Sequence, residues 1–122
     1  MNGSSAADSI SVNRSYNATI NSGAGNDLVF NNYAYYASIN AGDGADSIYS
    51  DYGYYSTVNA GAGNDSIYNY YSQYSFFNGD AGNDYVYNSG YRSTIDAGAG
   101  NDTIYNNNSY AAITGGADND SI

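Results

Sequence analysis

The sequence predicts an all-β fold, a right-handed parallel β-solenoid of about six coils with two short strands per 18–19-residue coil. Three observations carry that expectation. An aspartate ending a glycine-rich turn recurs at Asp8, Asp27, Asp46, Asp65, Asp84, Asp102 and Asp120, in steps of 19, 19, 19, 19, 18 and 18 residues. Two residues after each comes an aliphatic one: Ile10, Val29, Ile48, Ile67, Val86, Ile104 and Ile122. Half a period on runs a second apolar column: Ile20, Ile39, Val58, Phe77, Ile95 and Ile113. A fixed period of this size is the mark of stacked repeats, and short β-branched segments between polar flanks read as strands. Each strand is expected to turn one side chain inward, so that coils stacked about 4.8 Å apart bury two apolar stripes.

The strands are expected to alternate, with the residue after each core position facing out. Phe30, Tyr49, Tyr68, Tyr87 and Tyr105 form that file, Tyr33, Tyr52 and Tyr71 another, and Tyr35–Tyr36 with Tyr54–Tyr55 a third. Among these outward rows the amides also align, as Asn31, Asn69, Asn88 and Asn106 and as Asn21, Asn40, Asn59 and Asn78. Identical residues stacked on successive coils give ladders like those of cross-β structure.

Composition narrows the functions open to such a scaffold. The 122 residues carry 12 Asp, no Glu or Lys, two Arg and a net charge of −10, so nucleic acid and anionic membrane, which attract basic surfaces, are poor partners. Without His, Cys or Glu the usual acid–base groups, thiol nucleophiles and soft-metal ligands are missing, and no catalytic constellation is discernible. No apolar run reaches the ~20 residues of a membrane helix. A core of two thin stripes calls for a further stabiliser, and hard oxygen ligands are abundant.

The turns supply those ligands. They read Ser22-Gly23-Ala24-Gly25-Asn26-Asp27, Ala41-Gly42-Asp43-Gly44-Ala45-Asp46, Ala60-Gly61-Ala62-Gly63-Asn64-Asp65 and Ala97-Gly98-Ala99-Gly100-Asn101-Asp102, with Gly82 retained before Asp84. Alternating glycine permits positive φ and close backbone approach, so peptide carbonyls can converge beside the terminal carboxylate. Carbonyl and carboxylate oxygens together suit Ca²⁺, which accepts six to eight of them in flexible geometry. The metal-free alternative is a ladder of Asx-turns. Against it, carboxylates ~4.8 Å apart repel by about 0.9 kcal/mol per neighbouring pair even in water, a cost that asparagine would avoid.

Turn and following strand, as in A-G-A-G-N-D-S-I-Y, resemble the repeats-in-toxin nonapeptide G-G-x-G-x-D-x-U-x. The resemblance implies a parallel β-roll with calcium ions between successive turns, in proteins secreted by bacteria. In the family both turns of a coil bind ions. Here the second half-coil reads N-S-G-Y-R-S-T-I-D from Asn88 to Asp96 or N-N-N-S-Y-A-A-I-T from Asn106 to Thr114, with Ser93 or Ala111 where the aspartate belongs. One row of ions is therefore expected, held by Asp27, Asp46, Asp65, Asp84, Asp102 and Asp120 with turn backbone at Gly23, Gly25, Gly42, Gly44, Gly61, Gly63, Gly82, Gly98 and Gly100. Six turns leave five gaps. Gly3-Ser4-Ser5-Ala6-Ala7-Asp8 lacks the alternating glycines and is a doubtful site; Asp80 and Asp118 each replace a motif glycine.

The functional expectation is an extracellular structural repeat that folds on binding calcium: a rigid spacer, adhesin or surface-layer segment. Residues 1–122 are expected to form one solenoid domain, a slice of a longer array or a subunit stacking end to end with copies of itself into filaments. The alternative is a solenoid face that binds ice or carbohydrate. Its outward turn positions read mainly Ala24, Ala62, Ala99 and Ala117 beside Asn26, Asn64, Asn101 and Asn119, and the absence of threonine among them weighs against ice.

Overall fold

The computed structural model describes all 122 residues and contains strands and turns only. Twelve strands run in order: β1 (Ser9–Asn13), β2 (Thr19–Ala24), β3 (Leu28–Asn32), β4 (Ser38–Asp43), β5 (Ser47–Asp51), β6 (Thr57–Ala62), β7 (Ser66–Tyr70), β8 (Phe76–Ala81), β9 (Tyr85–Asn88), β10 (Thr94–Ala99), β11 (Thr103–Asn106) and β12 (Ala112–Ala117). Odd-numbered strands form one six-stranded sheet and even-numbered strands the other. Every pairing within the two sheets is parallel and joins a strand to its counterpart one coil away, as in Val29 with Ile48 and Ile39 with Val58. The fold is a β-solenoid in which each coil contributes one strand to each sheet.

Both apolar columns lie between the sheets. Val29, Ile48, Ile67 and Val86 from the odd sheet and Ile20, Val58, Phe77 and Ile95 from the even sheet are fully buried. Ile113 is half-buried, and Ile122, outside the twelve strands, is 71 % exposed. Since each column residue packs chiefly against its own sheet neighbours and the sheet opposite, losing one leaves a void that the rigid ladders cannot close. Ile67→Ala should cost about 2–5 kcal/mol, read as a lowered unfolding midpoint in saturating calcium.

Each strand turns two side chains inward rather than one. The period-two alternation continues past the aliphatic position, so Asn31, Ser50, Asn69 and Asn88 point into the solenoid, where they are fully buried. The Asn31 amide file is thus interior, not outward. It is kept there by hydrogen bonds along the axis: the Asn69 side-chain amide donates to Asn88 Oδ1 at 2.6 Å, and Asn88 to Asn106 Oδ1 at 2.8 Å. The even strands place Ser22, Ala41, Ala60, Gly79 and Ala97 at the matching inner position. Small residues there let the sheets converge on the glycine-rich corner.

The opposite corner is tyrosine-rich. Tyr33, Tyr52 and Tyr71 stack with ring centroids 5.1 and 5.2 Å apart, and Tyr36, Tyr55 and Tyr74 at 5.3 Å. All six have φ between 52° and 64°, a left-handed conformation unfavourable for a bulky side chain, which the ring stacking and the ladder of turn hydrogen bonds offset. The step from 19 to 18 residues is taken on this side. β9 and β11 are a residue shorter than β3, β5 and β7, while the glycine-rich turn keeps its length.

Candidate metal centre

At the glycine-rich corner the recurring aspartates form a file down one edge. Asp27, Asp46, Asp65, Asp84 and Asp102 are each at most 2 % exposed. One carboxylate oxygen of each ties two coils together: the Asp46 amide donates to Asp65 Oδ1 at 2.7 Å, the Asp65 amide to Asp84 Oδ1 at 2.8 Å, and so on to Asp102 and Asp120 at 3.0 Å. The spacing in the sequence sets these aspartates one coil apart, but does not show that one oxygen of each accepts from the amide of the coil before.

The second oxygen is different. Oδ2 of Asp27, Asp46, Asp65, Asp84 and Asp102 is buried and has no hydrogen-bond partner. Five such oxygens in one row are costly to leave charged and unpaired, because each forfeits its hydration, and so they call for a cation or a proton. Asp8 gives the contrast. Its Oδ2 accepts from the Ser4 amide and, at 2.9 Å, from the Ser4 hydroxyl, so the turn that lacks the alternating glycines satisfies its own carboxylate. Asp120, in the last turn, is half-buried.

Glycine shapes the space around those oxygens. At Gly79 a Cβ would lie 2.2 Å from the Ala97 carbonyl oxygen and 2.3 Å from Asp84 Oδ2, so the bare Cα leaves room where both oxygens meet. Gly42, Gly61 and Gly98 at the second motif position have φ of 108–110°, and Gly44, Gly63, Gly82 and Gly100 at the fourth have φ of 133–141°. Gly63→Ala would set a methyl 1.8 Å from the Gly44 carbonyl oxygen in a conformation that alanine resists. The expected loss is more than about 1 kcal/mol of stability in calcium, measurable by urea unfolding. Asp80 and Asp118 keep the glycine's left-handed course with φ of 78° and 80°, so those two turns retain the backbone path. Gly116, with φ of 112°, belongs to the same set and is legible from its place in Gly115-Gly116-Ala117-Asp118.

Burial and stacking raise the carboxylate pKa values. Asp65 is pushed up to about 7, chiefly by burial, with the Asp46 amide opposing and the charges of Asp84 and Asp46 adding. Asp84 reaches about 6 for the same leading reason. Asp46 and Asp102 also rise, burial again first. No three carboxylates are placed to hold one ion between them. A cation at this corner must therefore complete its shell with peptide carbonyls and water, which a hard ion such as Ca²⁺ accepts and a thiolate- or imidazole-seeking metal does not. The donor set, the orphaned oxygens and the space beside them fit calcium.

The comparison with known families agrees. The RTX calcium-binding nonapeptide repeat matches in four copies, over residues 38–53, 56–68 and 78–108. Neither a curated protein nor a solved structure matches the chain. With their phased glycine turns and parallel coils, the matched segments are RTX calcium-binding nonapeptide repeats, a family whose ion is Ca²⁺.

Proposed function

We propose that this chain is an extracellular structural module whose folding is conditional on calcium, with one row of ions along the corner of Asp27, Asp46, Asp65, Asp84, Asp102 and Asp120. The observation that carries the reading is the row of buried Oδ2 atoms without partners. Each ion would draw on those oxygens and on carbonyls of the glycine turns, and so neutralise a file of charge that otherwise opposes stacking. The tyrosine corner has no matching file of buried aspartates. Ser56, Ser75 and Ser93 stand where an aspartate would, and the interior there is filled by the Asn–Ser hydrogen bonds.

Without the ion an acidic chain rich in Gly, Asn and Ser has too little apolar surface to offset its conformational entropy. With it, binding free energy becomes folding free energy. Extracellular calcium modules bind at about 10⁻⁴–10⁻³ M, so the chain would stay loose in a calcium-poor cytoplasm and set outside the cell. As a rigid rod it would serve as a spacer, adhesin or surface-layer segment. Circular dichroism during a calcium titration tests this; a complete β spectrum in excess chelator excludes it.

A second reading, a face that binds ice or carbohydrate, gains support from the even sheet. Its outward positions run Thr19, Ser38, Thr57, Phe76 and Thr94 beside Asn21, Asn40, Asn59, Asn78 and Asp96, a hydroxyl and amide surface interrupted at Phe76 and Asp96 and distinct from the alanine positions of the turns. The tyrosine files suit sugar stacking less, because their ring faces already cover one another. Thermal hysteresis and glycan binding are the corresponding assays.

A further inference from the structure

The tyrosine corner holds phenols in an order that hydrogen bonding and packing leave unused. Tyr33 and Tyr52 lie 5.1 Å apart with ring planes 8° from parallel, Tyr35 and Tyr54 5.2 Å and 8°, Tyr36 and Tyr55 5.3 Å and 9°. Below them Tyr52 and Tyr71, and Tyr55 and Tyr74, continue two of the files. These rings are reachable from solvent: Tyr33, Tyr36, Tyr52, Tyr55 and Tyr71 are between 43 % and 56 % exposed. The backbone holds each file in register through hydrogen bonds between successive corners, such as Tyr33 to Asp51, Tyr36 to Tyr54 and Tyr52 to Tyr70. Composition adds an independent point. With 17 Tyr, one Met and no Cys, Trp or His, the chain has essentially one kind of side chain from which a single electron is readily removed.

We infer that this corner is a site of oxidative modification, at which phenols of adjacent coils couple into dityrosine and staple the solenoid rung to rung. The co-reactant is a one-electron oxidant of the peroxide-driven haem peroxidase class. Two tyrosines each give up one electron and the phenolic proton, and hydrogen peroxide takes both electrons and both protons to become two waters. The two phenoxyl radicals combine through a carbon ortho to each oxygen, forming one C–C bond. Each of those carbons then releases its proton and each oxygen regains one, restoring both aromatic rings. The net reaction is two phenols and one peroxide to one biphenol and two waters. Stacking favours partners one coil apart, because the neighbour is already held beside the radical whereas another chain must diffuse to it.

The site depends on ring geometry and not on the row of ions at the opposite corner. Its test uses dilute, folded chain treated with peroxidase and hydrogen peroxide, then cleaved before aspartate and mapped by mass spectrometry. Cleavage there separates the rungs into peptides 27–42, 51–64 and 65–79. The expected adducts join 27–42 to 51–64 and 51–64 to 65–79, in protein that still migrates as a monomer. Replacing Tyr52, Tyr54 and Tyr55 together with Phe keeps rings in the stack but removes every phenol from peptide 51–64. Both adducts should then be lost, with none appearing between 27–42 and 65–79. Adducts mainly between chains, an equal yield across two rungs, or no biphenol from the folded chain would overturn the inference. Calcium dependence of the spectrum is read separately and bears only on the proposed ion row.

Discussion

Saturating the five gaps between successive aspartate turns with calcium should convert the chain from disordered to fully folded in one cooperative transition. At a free concentration a hundred times the dissociation constant, each site adds about 2.7 kcal/mol, so five add roughly 13 kcal/mol. That sum rivals the whole stability of an ordinary domain, about 5–15 kcal/mol. The transition should be steep in calcium because neighbouring ions share a coil, and one ordered coil templates the next. Asp65→Asn probes the middle of the row. The asparagine oxygen can still accept from the Asp46 amide, but one anionic ligand is gone, and the calcium midpoint should rise roughly tenfold, or about 1.4 kcal/mol. A midpoint unchanged in this variant would remove Asp65 from the ligand set.

Acidification should partly substitute for calcium in the metal-free chain. The buried aspartates have folded-state pKa values raised above the unfolded value of 3.8, to about 7 for Asp65 and about 6 for Asp84. A folded chain therefore retains protons that an unfolded one releases between about pH 4 and 7. The metal-free fold loses stability as pH climbs through that window and recovers it as pH falls. In chelator, the β signal should be stronger near pH 4.5 than at pH 7.5. In calcium the effect reverses, since protons and ions compete for the same oxygens, and the calcium midpoint should move to higher concentration at the lower pH. Asp65→Asn mimics the neutral state at one position and should blunt both effects. A metal-free chain equally unfolded at both pH values would contradict this account of the corner.

Much of this could be read from the sequence, for a physical reason. In a stacked repeat, neighbours in space lie one period apart in the chain, so the spacing of Asp27, Asp46 and Asp65 already states their contact. The columns through Ile48 and Val58 followed from the same rule. What escaped was set by the finer geometry of the strand. Asn31 and Asn69 look like surface amides by composition, yet alternation continues for a second inward step and buries them in a hydrogen-bonded file. The left-handed Tyr33 and Tyr36 were equally hidden, because nothing local favours that conformation in tyrosine; only the stack of identical corners does. The division of labour within each carboxylate, Oδ1 clamping the coil before and Oδ2 left open, needs coordinates to be seen at all.

The place where coils shorten from 19 to 18 residues has a practical meaning. Length varies at the tyrosine side while the glycine side stays fixed, so the scaffold absorbs a change of coil length along that edge. A foreign loop grafted between Tyr91 and Ser93 would be carried on an unchanged frame. The same graft repeated on successive turns would be displayed at the spacing of a β-ladder, as a regular comb of copies along a single rod.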